Sequence, residues 1–557
     1  MDDQKKTGSY YTPKILADFL ILHIFDKYLN SGNIEILEPS CGDGQFIDSI
    51  FNTSQYEDFS QIKIDLVDIN SAELEKIVYP DSPKIICEKI NDDYLNFFLT
   101  NRKKYTLIVG NPPYIRKKNM LQEQILRCEE IHAQAKLYSS VITDTGRIKN
   151  IWPAFIEAAI MSLNTNGVIC FVLPSEILQV KYSKELRDLI RTEFEKVEIF
   201  AFNELIFEGI EQDVIALIGI KKVENKEEHG VSFYQVDTLS DLKEPKFTEK
   251  FSNIHRHSLD KWTNYILSDE ELNFVDSIKS SYQPLKKYCD KIEVGIVTAA
   301  NEFFILNNKA VRENRLDEVD NLIKPIIPKG SALPNTINLT TSDLVSMAAE
   351  DKNVHFIHFP DLPKIELSEV ENRYINKGEI EKGNDVPSIN NRYKMKLRNN
   401  WYHIPSVWHS EVLFVKRCHE YPRVLINSAN AYATDSFYRV VISKKFSSQS
   451  LVFSFFNSLT FILAELEGRY YGGGVLELIP TEFKELIIPY KENIGEVQFS
   501  KLDAMFRRDE SIDRILDFTD NLLLSHLGLD SINQLRSLRK KLLNRRLKGR
   551  FIDNKTT

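Results

Sequence analysis

The tetrapeptide Asn111-Pro112-Pro113-Tyr114 follows directly on Tyr105-Thr106-Leu107-Ile108-Val109-Gly110. The apolar hexapeptide has the composition of a buried parallel strand, which places the tetrapeptide at a strand's carboxyl end, where open α/β sheets bind their ligands. Two consecutive prolines remove two backbone donors and fix φ twice. The result is a rigid turn presenting carbonyls, the Asn111 amide and the Tyr114 ring. Such a turn suits the gripping of a flat amine, because the Asn111 side-chain oxygen and the Pro112 carbonyl can each accept one of its two hydrogens. Standing alone, the four residues would serve equally well as an ordinary strand exit with Asn111 in an Asx turn.

Three more clusters fall at the ends of candidate strands. Leu37-Glu38-Pro39-Ser40-Cys41-Gly42-Asp43-Gly44-Gln45-Phe46 closes the first strand and opens a helix. Its small residues let a ligand approach the backbone, but it is neither a GxGxxG dinucleotide loop nor a phosphate-binding P-loop. Asp68 ends the second strand, 24 residues after Gly44, where an acid accepts hydrogen bonds from ribose hydroxyls. Asp93-Tyr94 ends the third. Four strand ends in succession therefore line one rim.

The elements that must carry this rim are legible as alternation. Candidate strands at residues 34–37, 62–67, 84–87, 106–109, 167–173, 196–200 and 214–220 alternate with helical patterns such as 152–163 and 183–194. That order predicts a mainly parallel sheet covered on both faces. Residues 223–249, rich in Lys and Glu, read as the exit from this domain. From about 285 to 490 prolines, aromatics and isolated charges predict short irregular strands, and from about 500 the pattern is helical. Residues 536–550 carry eight Lys and Arg with no acid. Either a solvated helix face or a contact with a nucleic-acid backbone would explain that run.

At 557 residues the chain is long enough for two to four domains. It is 43% apolar and 27% charged, with no apolar stretch long enough to span a bilayer and no signal-peptide pattern at its start. Six scattered cysteines, with no CxxC pair and no Cys/His cluster, argue against a disulfide framework and against a metal site. A net charge of −9 does not advertise nucleic-acid binding, although a local basic surface is what counts.

Motif by motif the chain resembles the gamma-class, S-adenosylmethionine-dependent amino-group DNA methyltransferases of restriction-modification type. The order is theirs: Tyr11-Thr12-Pro13, then the glycine loop, then Asn-Pro-Pro-Tyr, then a C-terminal target-recognition region. The resemblance covers residues 8 to about 220 well and the remainder weakly. It implies a Rossmann-like class I methyltransferase domain at 1–245, a connector at 246–284, a mixed α+β target-recognition domain at 285–495 and a helical basic segment at 496–557. It implies S-adenosylmethionine as cofactor, with Tyr11, Thr12 and Pro13 at its methionine end and Glu38, Cys41 and Gly42 in the glycine loop. Glu38 stands where many relatives have Asp. Asp68 would take the ribose, Asp93 and Tyr94 would flank the adenine ring, and Asn111 would complete the cofactor site.

The resemblance further implies transfer of a methyl group to the N6 amine of adenine in double-stranded DNA, with Asn111, Pro112, Pro113 and Tyr114 catalytic. The target base would be flipped out of the duplex and stacked between Tyr114 and Phe207. Phe207, before the strand at 214–220, is also read as a packed core ring. Candidate DNA contacts are Arg116, Lys117 and Lys118 beyond the turn, Arg398 and Trp401 in the C-terminal half, and Arg539 and Lys540 in the basic run. The expected partners are DNA and a separate cognate restriction endonuclease, for a monomer in a bacterial or archaeal cytoplasm, with no membrane, no metal and no nuclease domain of its own. Protein-glutamine methylation, ribosomal-RNA methylation and cytosine-N4 methylation use the same amine grip. A DNA-binding scaffold without catalysis is the remaining alternative. The Tyr-Thr-Pro motif and the long C-terminal region count against the glutamine enzyme.

Overall fold

The structure, a computed structural model, describes residues 11–29, 32–143, 148–202, 204, 206–207, 213–224, 228–244, 249–253, 261–262, 267–381, 388–471 and 474–547. Two compact units divide the chain, one ending at Leu272 and the other running from Asn273 to Leu547.

The first unit is built on one nine-stranded sheet. Its strands are β1 (Gly32–Pro39), β2 (Phe59–Asp68), β3 (Ile85–Asn91), β4 (Tyr105–Gly110), β5 (Leu163–Pro174), β6 (Lys196–Phe202), β7 (Val214–Ile220), β8 (Gly230–Val236) and β9 (Glu249–Asn253). They lie in the order β3-β2-β1-β4-β5-β7-β6-β8-β9. From β3 to β5 every pairing is parallel, and β7 runs antiparallel between β5 and β6. This is the Rossmann-like class I methyltransferase arrangement.

Apolar runs form the central strands because both faces are covered. Along β4, Leu107 and Val109 enter one core cluster while Ile108 enters the other; along β5, Val168, Cys170 and Val172 alternate in the same way with Ile169, Phe171 and Leu173. Helices α1 (Lys14–Lys27), α2 (Gln45–Asn52) and α3 (Ser71–Lys76) supply the cover of one face. Helices α4 (Tyr94–Thr100), α5 (Gln122–Tyr138), α6 (Trp152–Met161) and α7 (Lys184–Glu193) cover the other. Helix α6 is buried almost all round, as a helix apolar on every side must be.

The segment read as the exit from this domain behaves differently. Its run Gly-Val-Ser-Phe-Tyr-Gln-Val becomes β8, buried at six of seven positions and parallel to β6, and β9 pairs antiparallel beyond it. The charged flanks masked a short apolar strand whose partner, β6, lies far back in the chain.

The second unit is mixed α and β. A five-stranded sheet joins Cys289–Val294, Phe437–Ile442, Val412–Val415, Val424–Asn427 and Asn338–Leu339, and a four-stranded one joins Ile305–Leu306, His355–Ile357, Ile323–Ile327 and Tyr432–Ala433. The C-terminal helices Glu496–Arg507, Ile512–Leu523 and Leu529–Leu547 belong to this unit. Buried Asp520 joins the last two of them to the helix at Ser458–Glu467, accepting from the Ser458 amide (2.9 Å), the Ser458 hydroxyl (2.7 Å) and Arg536 Nε (3.0 Å). No single helix among the described residues is long and apolar enough to cross a membrane.

Candidate active site

The chain leaves β1 for β2 on one side, while β4 flanks β1 on the other, so a crevice opens between the carboxyl ends of β1 and β4. That is the switch point at which doubly wound sheets bind ligands. The register Ile36↔Leu107 and Leu37↔Ile108 carries the ends of the two strands side by side, and Ser40 Oγ lies 3.4 Å from the Asn111 carbonyl as its donor. An open cleft occupies this position. Of the residues named from sequence, Tyr11, Thr12, Glu38, Cys41, Gly42, Asp68, Asn111 and Pro113 line it. Ser40, Asp43, Gln45 and Phe46 line it too and were not singled out, although all four stand inside the glycine-loop motif.

The loop after β1 is shaped by backbone geometry. Gly42 has φ +53° and Gly44, which caps α2, has φ +81°. A Cβ on Gly44 would stand 2.8 Å from Ile77 Cγ1. Ser40 also adopts positive φ (76°), a conformation costly outside glycine. The loop is tied to β2 in three places: the Ser40 and Cys41 amides donate to the Val67 carbonyl (2.8 and 3.1 Å), and Asp68 Oδ2 accepts from the Gly42 amide (2.8 Å). Asp68 Oδ1 accepts from the Asn70 amide at 2.8 Å.

The electrostatics of the cleft single out Glu38. Its side chain is 2% exposed and its Oε2 has no hydrogen-bond partner. Burial, then the nearby Asp43, Asp68 and Asp48 carboxylates, hold its carboxyl well above the usual carboxylate range. Gln45 Nε2 is likewise buried without a partner. An orphaned carboxyl oxygen and an orphaned amide donor on one cleft fit a ligand that carries both an ammonium and a carboxylate. The surrounding acids suit a ligand with excess positive charge. S-adenosylmethionine meets both conditions.

At the turn, the Tyr114 hydroxyl lies 2.8 Å from Asn111 Oδ1 and 3.0 Å from the Val172 carbonyl of β5. Tyr114 is half-buried and packs against the clusters of both sheet faces, while Pro112 is buried. The next residues are held by the Lys117 amide on the Lys149 carbonyl (2.9 Å) and the Ile151 amide on the Ile115 carbonyl (3.0 Å). Arg116, Lys117 and Lys118 are exposed.

Several expected residues stand away from the cleft. Pro13 caps α1, its carbonyl accepting from the Leu16 and Ala17 amides. Asp93 caps α4 through Leu95 (2.9 Å) and pairs with Arg127 at 2.8 Å. Tyr94 is 3% exposed, with its ring 4.9 Å from that of Phe155 and its hydroxyl unpartnered. Phe207 is 5% exposed and belongs to the core cluster on the α1 face.

In the second unit, Arg398 donates to the Val297 and Thr298 carbonyls (3.2 and 3.0 Å), and Trp401 donates to Glu379 (2.9 Å) and packs on Phe303. The basic run does not form a free cationic face. Arg539 is buried against Asp513, which Lys540 also reaches at 2.8 Å. Arg536 pairs with Asp517 and Asp520, and Arg546 with Glu465. Residues 548–550 of the run lie outside the described residues.

Comparison with known proteins decides the class of activity. The model of the Eco57I restriction-modification methylase matches residues 24–207, and that of the C-terminal domain of the Type II methyltransferase M.Eco57I matches residues 259–524. The chain is a DNA methylase of the restriction-modification type. Among its relatives, Type II methyltransferase M.AccI of Acinetobacter calcoaceticus is 23% identical over 87% of this chain and 86% of its own. Type II methyltransferase M.BanIII of Aneurinibacillus aneurinilyticus is 24% identical over 72% of this methylase and 74% of its own length. Of solved structures, the type IIG restriction endonuclease BpuSI aligns with a TM-score of 0.41 at 13% identity, over 97% of this methylase and 66% of that chain. The DrdV–DNA complex aligns at 0.49 and 13%, over 91% and 58%. The cofactor of the methylase is S-adenosylmethionine.

Proposed function

We propose that this methylase acts on the N6 amine of adenine in double-stranded DNA, with the target base turned out of the helix. The observation that carries the proposal is the position of Asn111. It stands on the wall of the cleft that holds the orphaned Glu38 oxygen, and it begins the rigid Asn-Pro-Pro-Tyr turn. When bound, the cofactor supplies a methyl group on a positively charged sulfur.

The residues of the chain prepare the acceptor. Adenine's exocyclic nitrogen is a weak nucleophile because its lone pair is delocalised into the ring. Asn111 Oδ1 and the Pro112 carbonyl accept its two hydrogens and favour a pyramidal nitrogen with the lone pair localised. As the nitrogen–methyl bond forms and the sulfur–methyl bond breaks, positive charge grows on the nitrogen; preorganised oxygen acceptors stabilise it more than they stabilise the starting amine. One hydrogen then leaves the nitrogen as a proton. The Tyr114 hydroxyl holds Asn111 Oδ1 in place, and its ring offers a stacking surface for the extruded base. Glu38 and Gln45 would hold the ammonium and carboxylate of the cofactor, and Asp68 its ribose. A monomeric state, a separate endonuclease and a cytoplasmic setting belong to the same proposal.

Incubating unmodified duplex DNA with the protein and isotope-labelled cofactor, then digesting the DNA to nucleosides for mass spectrometry, tests it. Label in N6-methyl-2′-deoxyadenosine is expected. Label in N4-methylcytosine, or in protein or RNA but not DNA, would overturn the assignment.

A further inference from the structure

Of the second unit's side chains that looked suited to DNA, Trp401 is held by Glu379, Arg539 by Asp513 and Arg546 by Glu465. A concave basic surface stands elsewhere in the same unit. Lys329, Lys416, Arg417, His419 and Arg423 line an open cleft. It lies between the residues that follow strand Ile323–Ile327 and those joining Val412–Val415 to Val424–Asn427.

Three features mark it as a place for an anion. Arg423 donates only to the carbonyls of Pro334 (2.7 Å) and Thr336 (3.3 Å), and no carboxylate pairs with it among the described residues. Burial pushes its guanidinium below the usual arginine range. A half-buried charge without a counter-ion carries a desolvation cost, and an anion in the cleft would offset it. Second, Glu477, 4% exposed, fixes two cations on the wall, Arg417 Nε at 2.7 Å and Lys416 Nζ at 3.0 Å. Third, Lys329 is exposed beside them. Glu420 and Asp435 oppose this charge, and with the Ser436 hydroxyl they offer the acceptor and hydroxyl chemistry suited to base edges.

We infer that this cleft is where the second unit grips duplex DNA, with Lys329, Arg417 and Arg423 on phosphodiester oxygens and the neighbouring Glu420 and Asp435 facing base edges. The inference rests on DNA being the substrate. The test is the salt dependence of binding to a random-sequence DNA duplex, followed by fluorescence anisotropy, for wild type, Lys329→Glu and the double variant Lys329→Gln/Arg417→Gln. Each cation withdrawn from a phosphate should flatten the slope of log affinity against log salt by about 0.9, so the double variant should be flatter by about 2. Its melting temperature and cofactor affinity should stay at wild-type values. If Arg417→Gln lowers the melting temperature, Lys329→Glu alone decides. Unchanged slopes in variants of a wild type that binds and methylates DNA would overturn the cleft and leave the proposed function standing. A wild type that neither binds nor methylates duplex DNA would overturn both.

Discussion

Asn111 and Glu38 share a cleft but would do different work, and substitutions should separate them. Asn111→Ala removes one of two acceptors for the developing charge, so turnover should fall by about 100- to 1000-fold. Cofactor affinity, measured by calorimetry, should hold; a loss of affinity as large as the loss of turnover would place Asn111 in cofactor binding instead. Glu38→Gln keeps the shape and removes the charge. It should weaken S-adenosylmethionine and its demethylated product alike, each on the order of tenfold, because both carry the ammonium that Glu38 would hold. Since burial and the neighbouring acids raise the Glu38 carboxyl in the free protein, and a bound cation favours its ionised form, wild-type affinity should climb as pH rises through the raised value. The same shift makes the free protein lose stability as pH rises from the ordinary carboxylate range through that value. Calorimetric titrations across pH should show the climb in wild type and a flatter profile in Glu38→Gln.

At the scale of elements, what matters is how α1 is held on the sheet, because the cleft residues Tyr11 and Thr12 enter directly before it. His23 of α1 reaches Glu198 of β6 at 2.6 Å, and the Tyr28 and Tyr234 hydroxyls donate to the same carboxylate at 2.8 and 3.1 Å. Burial alone would raise this carboxyl, but the His23 hydrogen bond and charge, Tyr28 and Lys196 outweigh it and hold it below the usual value. Removing one partner of such a buried cluster costs about 3 kcal/mol or more, and Glu198→Ala should show that loss in chemical denaturation. A carboxyl lowered on folding contributes stability above its unfolded pKa, and that stability is lost as pH falls through the folded one. The variant should therefore lose less stability on acidification than wild type does. Equal acid sensitivity in the two proteins would rule Glu198 out as the source.

At the scale of the whole molecule, the basic C-terminal run is part of the second unit's framework. Arg546 is buried, with Nε and Nη2 on Glu465 at 2.8 to 3.1 Å and Nη1 on the Gly474 carbonyl. Arg546→Gln should cost about 3 kcal/mol or more of stability, read as a lowered melting temperature. The salt slope of DNA binding should stay at the wild-type value. A reduced slope with an unchanged melting temperature would return the run to the DNA surface.

The strands and the rim were legible because both are local signals. An apolar run with turn residues behind it declares a buried strand whatever its neighbours, and seven of the nine strands of the sheet announced themselves in this way. The ligand-lining motifs stand at the ends of those strands, so Glu38, Asp68 and Asn111 could be placed on one rim from sequence alone. What sequence left open is every question of who pairs with whom. Glu465 and Arg546 are 81 residues apart and Asp93 and Arg127 are 34 apart; no local pattern says that one charge will spend another. The residues of β8 looked like a charged exit until β6 was there to receive them. The sequence by itself determined the chemistry at the end of β4, because backbone rigidity and side-chain type are properties of the residues. Only the tertiary structure decided which cations remain available to a partner, because that depends on contacts made across the fold.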